Sequence, residues 1–413
     1  MATTESAVSS ADNAPHPRPA SRSLSEGLKG HRNSLGVLRL VLATLVIFSH
    51  AFPLGDWGTD PGLGWTKGQE SIGGFAVVGF FAISGYLIAK SGANADILQF
   101  MWRRALRIFP AFWLVLLVAA GVVGPIVWKL EGNGLRAYLS TNVGGPVSYF
   151  LANWDLTMRQ YGIYDVFAGT TPYGDLVGTS IFNGSLWTLT YEWGCYLIIA
   201  VLVLFGVLRR ARFLVLVLTA FYYVAAVSNI IVPGGAGTIL PDFGDRFRVS
   251  LALIFLLGAC LAMYSREIPL DDRLGVFSAF VVIVTLLNGG WILLGYPALA
   301  YCLLWLAARL PSWVQWIGAK NDYSYGMYVY GFLVQQFTAY LGWYRWGYVP
   351  WVAAVIVITA ACAWLSWHIV EKRALALKDW GPGRGIRHWS VKAMSVVDWL
   401  RHRRATRITP STE

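Results

Sequence analysis

Apolar runs of about twenty residues recur along this chain, and that length is what a helix needs to cross the hydrocarbon core of a bilayer. They fall near residues 35–55, 71–90, 108–128, 185–208, 213–232, 248–264, 274–290, 291–310, 323–342 and 349–370. Asn288-Gly289-Gly290 divides what would otherwise be one long helix from 274 to 310, because paired glycines mark a turn. The pattern predicts an all-α integral membrane protein with about ten transmembrane helices. Composition agrees: 56% of the 413 residues are apolar and 13% charged, whereas a soluble domain carries about a quarter charged residues.

The formal net charge of +11 follows membrane topology, and so argues against nucleic acid as the partner. With the N-terminus in the cytoplasm, about 25 of the Lys and Arg residues fall on inside connections and about seven on outside ones. Both termini are then cytoplasmic. Residues 1–33, rich in Ala, Ser and Pro, read as a disordered cytoplasmic arm without a secretory signal. Residues 34–375 form the membrane domain and 376–413 a basic cytoplasmic tail. Cys195, Cys260, Cys302 and Cys362 all lie in apolar runs, as small buried hydrophobes do, and no metal site is expected. The long connection 129–184, external on this topology, reads either as a sugar-binding surface or as a packed cap.

Ionisable side chains inside a membrane span are costly and ask for an explanation. The first run holds Arg39 and His50, eleven residues apart. Eleven steps of about 100° place both on one helix face, about 16 Å apart along the axis. His50 can be a helix–helix hydrogen-bonding residue, a general base toward a hydroxyl, or a nucleophile. In the second run, Gly79, Ser84 and Gly85 allow close helix approach. The stretch ILQFMWRRALRIFP reads as an interfacial amphipathic helix, with Pro110 starting the third membrane helix. Its Arg103, Arg104 and Arg107 are either topology anchors or a clamp for phosphates.

The fourth run opens with NGSLWTLTYE. Its Glu192 either pairs with an arginine, orients His50 or binds a sugar hydroxyl. The ninth carries Tyr323, Tyr325, Tyr328 and Tyr330, whose polar tips suit a pocket lining or a membrane interface. Glu371 in WHIVEKR is most simply a boundary charge pair with Lys372 and Arg373. Tyr330, Tyr325, Trp187, Asn183 and Ser84 are the candidates for touching substrate.

Taken in order, Arg39 with His50, FFAISGYLI, Arg104-Ala-Leu-Arg107 before Ile-Phe-Pro, NGSLWTLTYE, YSYGMYVY and IVEKR resemble the acyltransferase-3 family of bacterial integral-membrane acyltransferases. The resemblance covers about residues 34–375 and departs from the family at two places. Many members have Asp before the FF pair, where this chain has Val78-Gly79, and His after the tyrosine run, where it has Tyr330-Gly331. The resemblance implies a multi-pass protein of the bacterial inner membrane with acetyl-CoA as the cytoplasmic acyl-CoA co-substrate. It implies an extracytoplasmic carbohydrate acceptor, catalytic roles for His50 and Arg39, and donor handling by Arg104 and Arg107. A transporter or flippase for a glycan precursor is the alternative, since intramembrane His, Arg and Glu also mark substrate paths.

Overall fold

The computed structural model describes residues 22–408 apart from 31–32, 141 and 239, with side chains as far as Trp399. Among the described residues there is no β-strand, only an isolated bridge between Ser23 and Pro269. Ten main helices follow the apolar runs: α1 (Leu35–Leu54), α2 (Ile72–Gly92), α3 (Ile97–Val118), α4 (Thr188–Leu204), α5 (Phe213–Ile231), α6 (Arg246–Met263), α7 (Asp272–Asn288), α8 (Tyr296–Arg309), α9 (Ser324–Tyr340) and α10 (Tyr348–Ser366). A further helix, α11 (Ile386–Ile408), lies in the basic tail. Seven helical stretches are long and apolar enough to cross a membrane. The remaining three, α4, α7 and α9, have 17 residues each.

Local chemistry sets the helix starts. Ser71 accepts from the Gly74 N–H at the head of α2, and Asp96 forms a capping box with Gln99 at the head of α3. Asp245 and Asp271 cap α6 and α7 in the same way. Between α7 and α8, Gly289 and Gly290 take φ of 118° and 89°, the region that glycine enters without a Cβ penalty. The expected close approach in α2 occurs against α6. A Cβ on Gly85 would stand 1.9 Å from the Phe255 carbonyl oxygen, and one on Gly258 2.1 Å from that of Ala82. The two backbones touch because neither residue has a side chain.

Hydrogen bonds between connections define two ends of the bundle. At one, Ser49 accepts from the Gly73 N–H at 2.9 Å, and Gln69 reaches the carbonyls of Thr285 and Leu286. At the other, Arg209 donates to the Ala93 carbonyl and Arg212 to that of Met263. The first is the loop end, which carries residues 131–187, and the second is the arginine end.

Two expectations change, and for residues 129–184 one of the two open readings holds. The stretch ILQFMWRRALRIFP is no separate interfacial helix. It forms the first turns of α3, which keeps Pro110 inside and continues through a π-helical turn (Ala119–Val123) to Leu130. Pro110 lacks the N–H that would meet the Leu106 carbonyl, and two residues on, the Tyr325 hydroxyl donates to the Ile108 carbonyl at 2.9 Å and fastens α9 to this part of α3. Residues 129–184 are a packed cap, with Tyr138, Tyr149, Phe167 and Phe182 fully buried. The described part of the N-terminal arm is docked: Leu24 and Leu28 enter the core from a short helix (Leu24–Gly27) with its own capping box. Residues 1–21 of that arm lie outside the described residues.

Candidate active site

Two cavities stack inside the bundle. The larger, about 930 Å³, lies at the loop end and includes His50 of α1, Asp60 and Glu70 of the α1–α2 connection, Tyr173 of the cap, Trp187, and Trp291. That volume is in the range of pockets that enclose a drug-sized ligand. The smaller, about 50 Å³, lies below it and includes Arg39, Ser84, Arg107, Glu192, Tyr196 and Tyr325. Val77, Thr188 and Tyr328 belong to the lining of both.

His50 meets the Phe332 ring edge-on, with centroids 5.5 Å apart. Among the described residues its imidazole makes no side-chain hydrogen bond, so both ring nitrogens are uncommitted within the protein. Around it, the α1–α2 connection is pinned from across the bundle: Gln69 Oε1 accepts from the Trp291 N–H at 3.0 Å, and the Trp291 indole donates to Glu70 at 3.2 Å. Burial pushes the Glu70 carboxyl up to about 7, against the opposing pull of the Trp291 indole, the Ser71 N–H and Arg246. Burial likewise pushes Asp60 up to about 6, partly offset by the Ser49 hydroxyl. Asp60 Oδ1 is buried with no hydrogen-bond partner.

The smaller cavity borders an ion cluster. Asp322, in the connection before α9, accepts from Arg39 and, at 2.6 Å, from Arg107. Its other oxygen accepts from the Ser324 N–H and hydroxyl. Arg107 also lies 3.9 Å from Glu371, a carboxylate only 2% exposed that accepts from the Ser366 hydroxyl. Glu371 is thus no boundary pair with its sequence neighbours. A buried carboxylate needs a cation and a donor, and Arg107 and Ser366 supply them.

Of the three α3 arginines, Arg103 pairs with Asp379 of the tail at 2.9 Å. Arg107 hydrogen-bonds Asp322 at 2.6 Å and lies 3.9 Å from Glu371, so its charge is shared with two carboxylates of the protein. Among the described residues Arg104 has no carboxylate within ion-pair distance. It lies over the Phe100 ring, within electrostatic reach of Glu192 and Tyr196, and its Nε is buried without a partner.

The structure sorts the other candidates by helix face. Glu192 accepts from Tyr196 at 2.5 Å in the lower cavity, so it does not orient His50 in the upper one. Trp187 lines the upper cavity, and Ser84 and Tyr325 the lower. Asn183 lines neither. It is buried, donating to the Val329 carbonyl at 2.7 Å and accepting from Ser185, and so fastens the head of α4 to α9. Tyr330 also lines neither, being packed toward Ser366 and Cys362 of α10. Five steps of about 100° turn Tyr330 about 140° from Tyr325, whereas Tyr328 at three steps stays near that face.

Sequence reasoning missed Asp322, Asp60 and Glu70. Asp322 had a readable signal: an acidic residue at the head of a span beside Ser324, in a chain whose first span carries an unpaired arginine. Asp60 and Glu70 had none, because both lie in a connection whose path depends on Gln69 and Trp291.

A family model described as an acyltransferase domain matches residues 32–368. The chain belongs to the acyltransferase-3 family. It is 29% identical over 356 residues to a protein named O-acetyl transferase from Shigella phage Sf6, across 83% of this chain and 96% of the relative. It is 28% identical over 383 residues to Nodulation protein 10 of Rhizobium leguminosarum bv. viciae, across 86% of this chain and 96% of that one. No solved structure matches. The family match makes this multi-pass helical protein a membrane acyltransferase, and the stacked cavities of the acyltransferase domain are the candidate seat of the transfer.

Proposed function

We propose that this acyltransferase moves an acetyl group from acetyl-CoA, bound at the arginine end, to a hydroxyl of a carbohydrate held in the upper cavity. The observation that carries the reading is the stacking: His50 faces a pocket of about 930 Å³, and the Arg39–Asp322–Arg107 cluster borders a small cavity directly beneath. Aromatic faces at Trp187, Trp291 and Tyr173, with polar groups at Asp60 and Glu70, suit a sugar's alternating apolar faces and hydroxyls. The name of the phage relative supports acetyl as the transferred group. The excess of Lys and Arg on one set of connections supports a cytoplasmic donor side, with both termini there and the chain in the bacterial inner membrane.

In the reaction, the acceptor oxygen attacks the thioester carbonyl carbon as His50 takes its proton. The C–O bond forms, the C–S bond breaks, and the CoA thiolate leaves to be protonated. Arg39 orients the donor, and Arg104, the α3 guanidinium with no carboxylate partner, draws its phosphates. The test is release of CoA thiol by purified protein in detergent, with and without an added glycan acceptor. Release that requires acceptor and disappears in His50→Ala is expected. No release from wild type under any condition refutes the proposal and favours a transporter of glycan precursors.

A further inference from the structure

We infer that Tyr328 is the acyl-length stop of this enzyme: its ring, with Val77 and Thr188, frames the neck between the two cavities, where the thioester carbon meets the acceptor, and limits the transferred group to acetyl size. The inference rests on the donor side proposed above and adds a specificity determinant to it.

The geometry is particular. Among the described residues, these three side chains are the ones common to the linings of the two cavities. Tyr328 is 9% exposed and doubly held: its hydroxyl donates to the Ser185 carbonyl at 2.7 Å and is hydrogen-bonded to the Thr188 hydroxyl. Phe80 meets the ring edge-on, with centroids 6.0 Å apart. Val77 and Thr188 are β-branched and stiff at χ1. The neck is therefore framed by parts that do not swing freely.

Below it the cavity measures about 50 Å³. A single water needs about 10–15 Å³ of such volume, so the space takes about four water-sized groups. A thioester's carbonyl carbon, oxygen and methyl group fill it. Each further methylene would press on Phe80, Phe81, Ile108 or the Tyr328 ring, all fixed in a packed bundle. Pocket discrimination of one methylene is worth about tenfold to two-hundredfold in kcat/KM. Two extra methylenes, as in butyryl-CoA, give an expected preference for acetyl-CoA of about a hundredfold or more.

The experiment compares acetyl-CoA with butyryl-CoA for wild type, Tyr328→Ala and Tyr328→Phe in detergent, reading thiol release with and without the glycan acceptor. Tyr328→Ala widens that neck. It is expected to cut the acetyl preference to about tenfold or less and to raise acceptor-independent hydrolysis, because the widened neck lets more water from the upper cavity in beside the acceptor. Tyr328→Phe keeps the ring and is expected to keep the preference. If Tyr328→Ala does not fold, Val77→Ala widens the same neck from α2 and is read in its place. A folded neck variant with the wild-type length preference overturns the inference, as does a wild type that uses both donors equally well. Absence of release from wild type with any acyl-CoA instead removes the donor reading, and this inference with it.

Discussion

Replacing Asp322 with Asn tests whether the ion cluster holds the bundle together or serves the reaction alone. Asp322 is the shared partner of Arg39 and Arg107, with side-chain exposures of 17%, 19% and 16% for the three. At that depth water screens the charges poorly, and removing one partner leaves a buried charge uncompensated, at about 3–5 kcal/mol. Arg107 keeps Glu371 at 3.9 Å, so the loss falls mainly on Arg39, whose ion pair among the described residues is the one with Asp322. Asn preserves an acceptor for the Ser324 N–H, which isolates the charge effect. The expected result is a loss of about 3–5 kcal/mol in a denaturing-detergent titration. A companion double variant, Arg39→Met with Asp322→Leu, removes both charges and should recover most of that stability, since an apolar pair of similar volume often replaces a buried ion pair without cost. Acyl transfer by the double variant should stay abolished, because Arg39 also lines the lower cavity. Asp322→Asn within about 0.5 kcal/mol of wild type, or an active double variant, would refute the reasoning.

His50→Ala should lower acyl transfer at least about a hundredfold while leaving the melting temperature close to wild type, because the ring makes no hydrogen bond to lose; activity above a tenth of wild type excludes the base role. Arg104→Ala should raise the KM for acetyl-CoA about tenfold, as the loss of a charge-assisted hydrogen bond does, whereas Arg103→Ala, which loses only an exposed pair with Asp379, should stay within about threefold; equal effects on donor KM count against Arg104 as the phosphate contact. Glu70→Gln should flatten the pH dependence of stability. With its carboxyl raised from 4.5 to about 7, the folded protein binds more protons than the unfolded chain across that window, so wild-type stability falls as pH rises through it. The variant should therefore gain relative to wild type above pH 7, and identical melting curves from pH 4.5 to 8 would contradict the assignment.

Much of the fold was legible because a bilayer leaves few options: every apolar run forms a helix, and the glycine pair at 289–290 turns where expected. The errors arose where a local signal met a tertiary partner. Pro110 reads as a helix start, but α3 is supported on its neighbours and runs through it. Arg104 and Arg107 share a face by spacing. Their roles diverge because Asp322 and Glu371, hundreds of positions away, pair with Arg107 and not with Arg104. Tyr325 and Tyr330 were grouped by composition, and helical phase separates them. Long-range pairing of this kind leaves no trace in a window of neighbouring residues.

The placement of His50 follows from the backbone on either side of it rather than from any bond to its ring. One residue earlier, the Ser49 hydroxyl accepts from the Gly73 N–H and ties α1 to the head of α2. Three residues earlier, the Ile47 carbonyl accepts from Gln335 at 2.8 Å and ties α1 to α9. A helix fixed at both of these crossings can orient its side chain by packing alone, here against Phe332. The imidazole then keeps both nitrogens for the reaction, unlike a base whose second nitrogen is held by a carboxylate in one tautomer. On the proposed reading this suits a site where the proton must leave as well as arrive. A neutral ring takes the acceptor's proton at one nitrogen, and either can later release one to water in the upper cavity, near Glu70 and its carboxyl at about 7. Arg39, eleven residues toward the arginine end of the same helix, is by contrast anchored by Asp322 through Nη1, with its Nε left without a protein partner. One helix thus presents an uncommitted base above the neck at Tyr328 and an anchored cation below it.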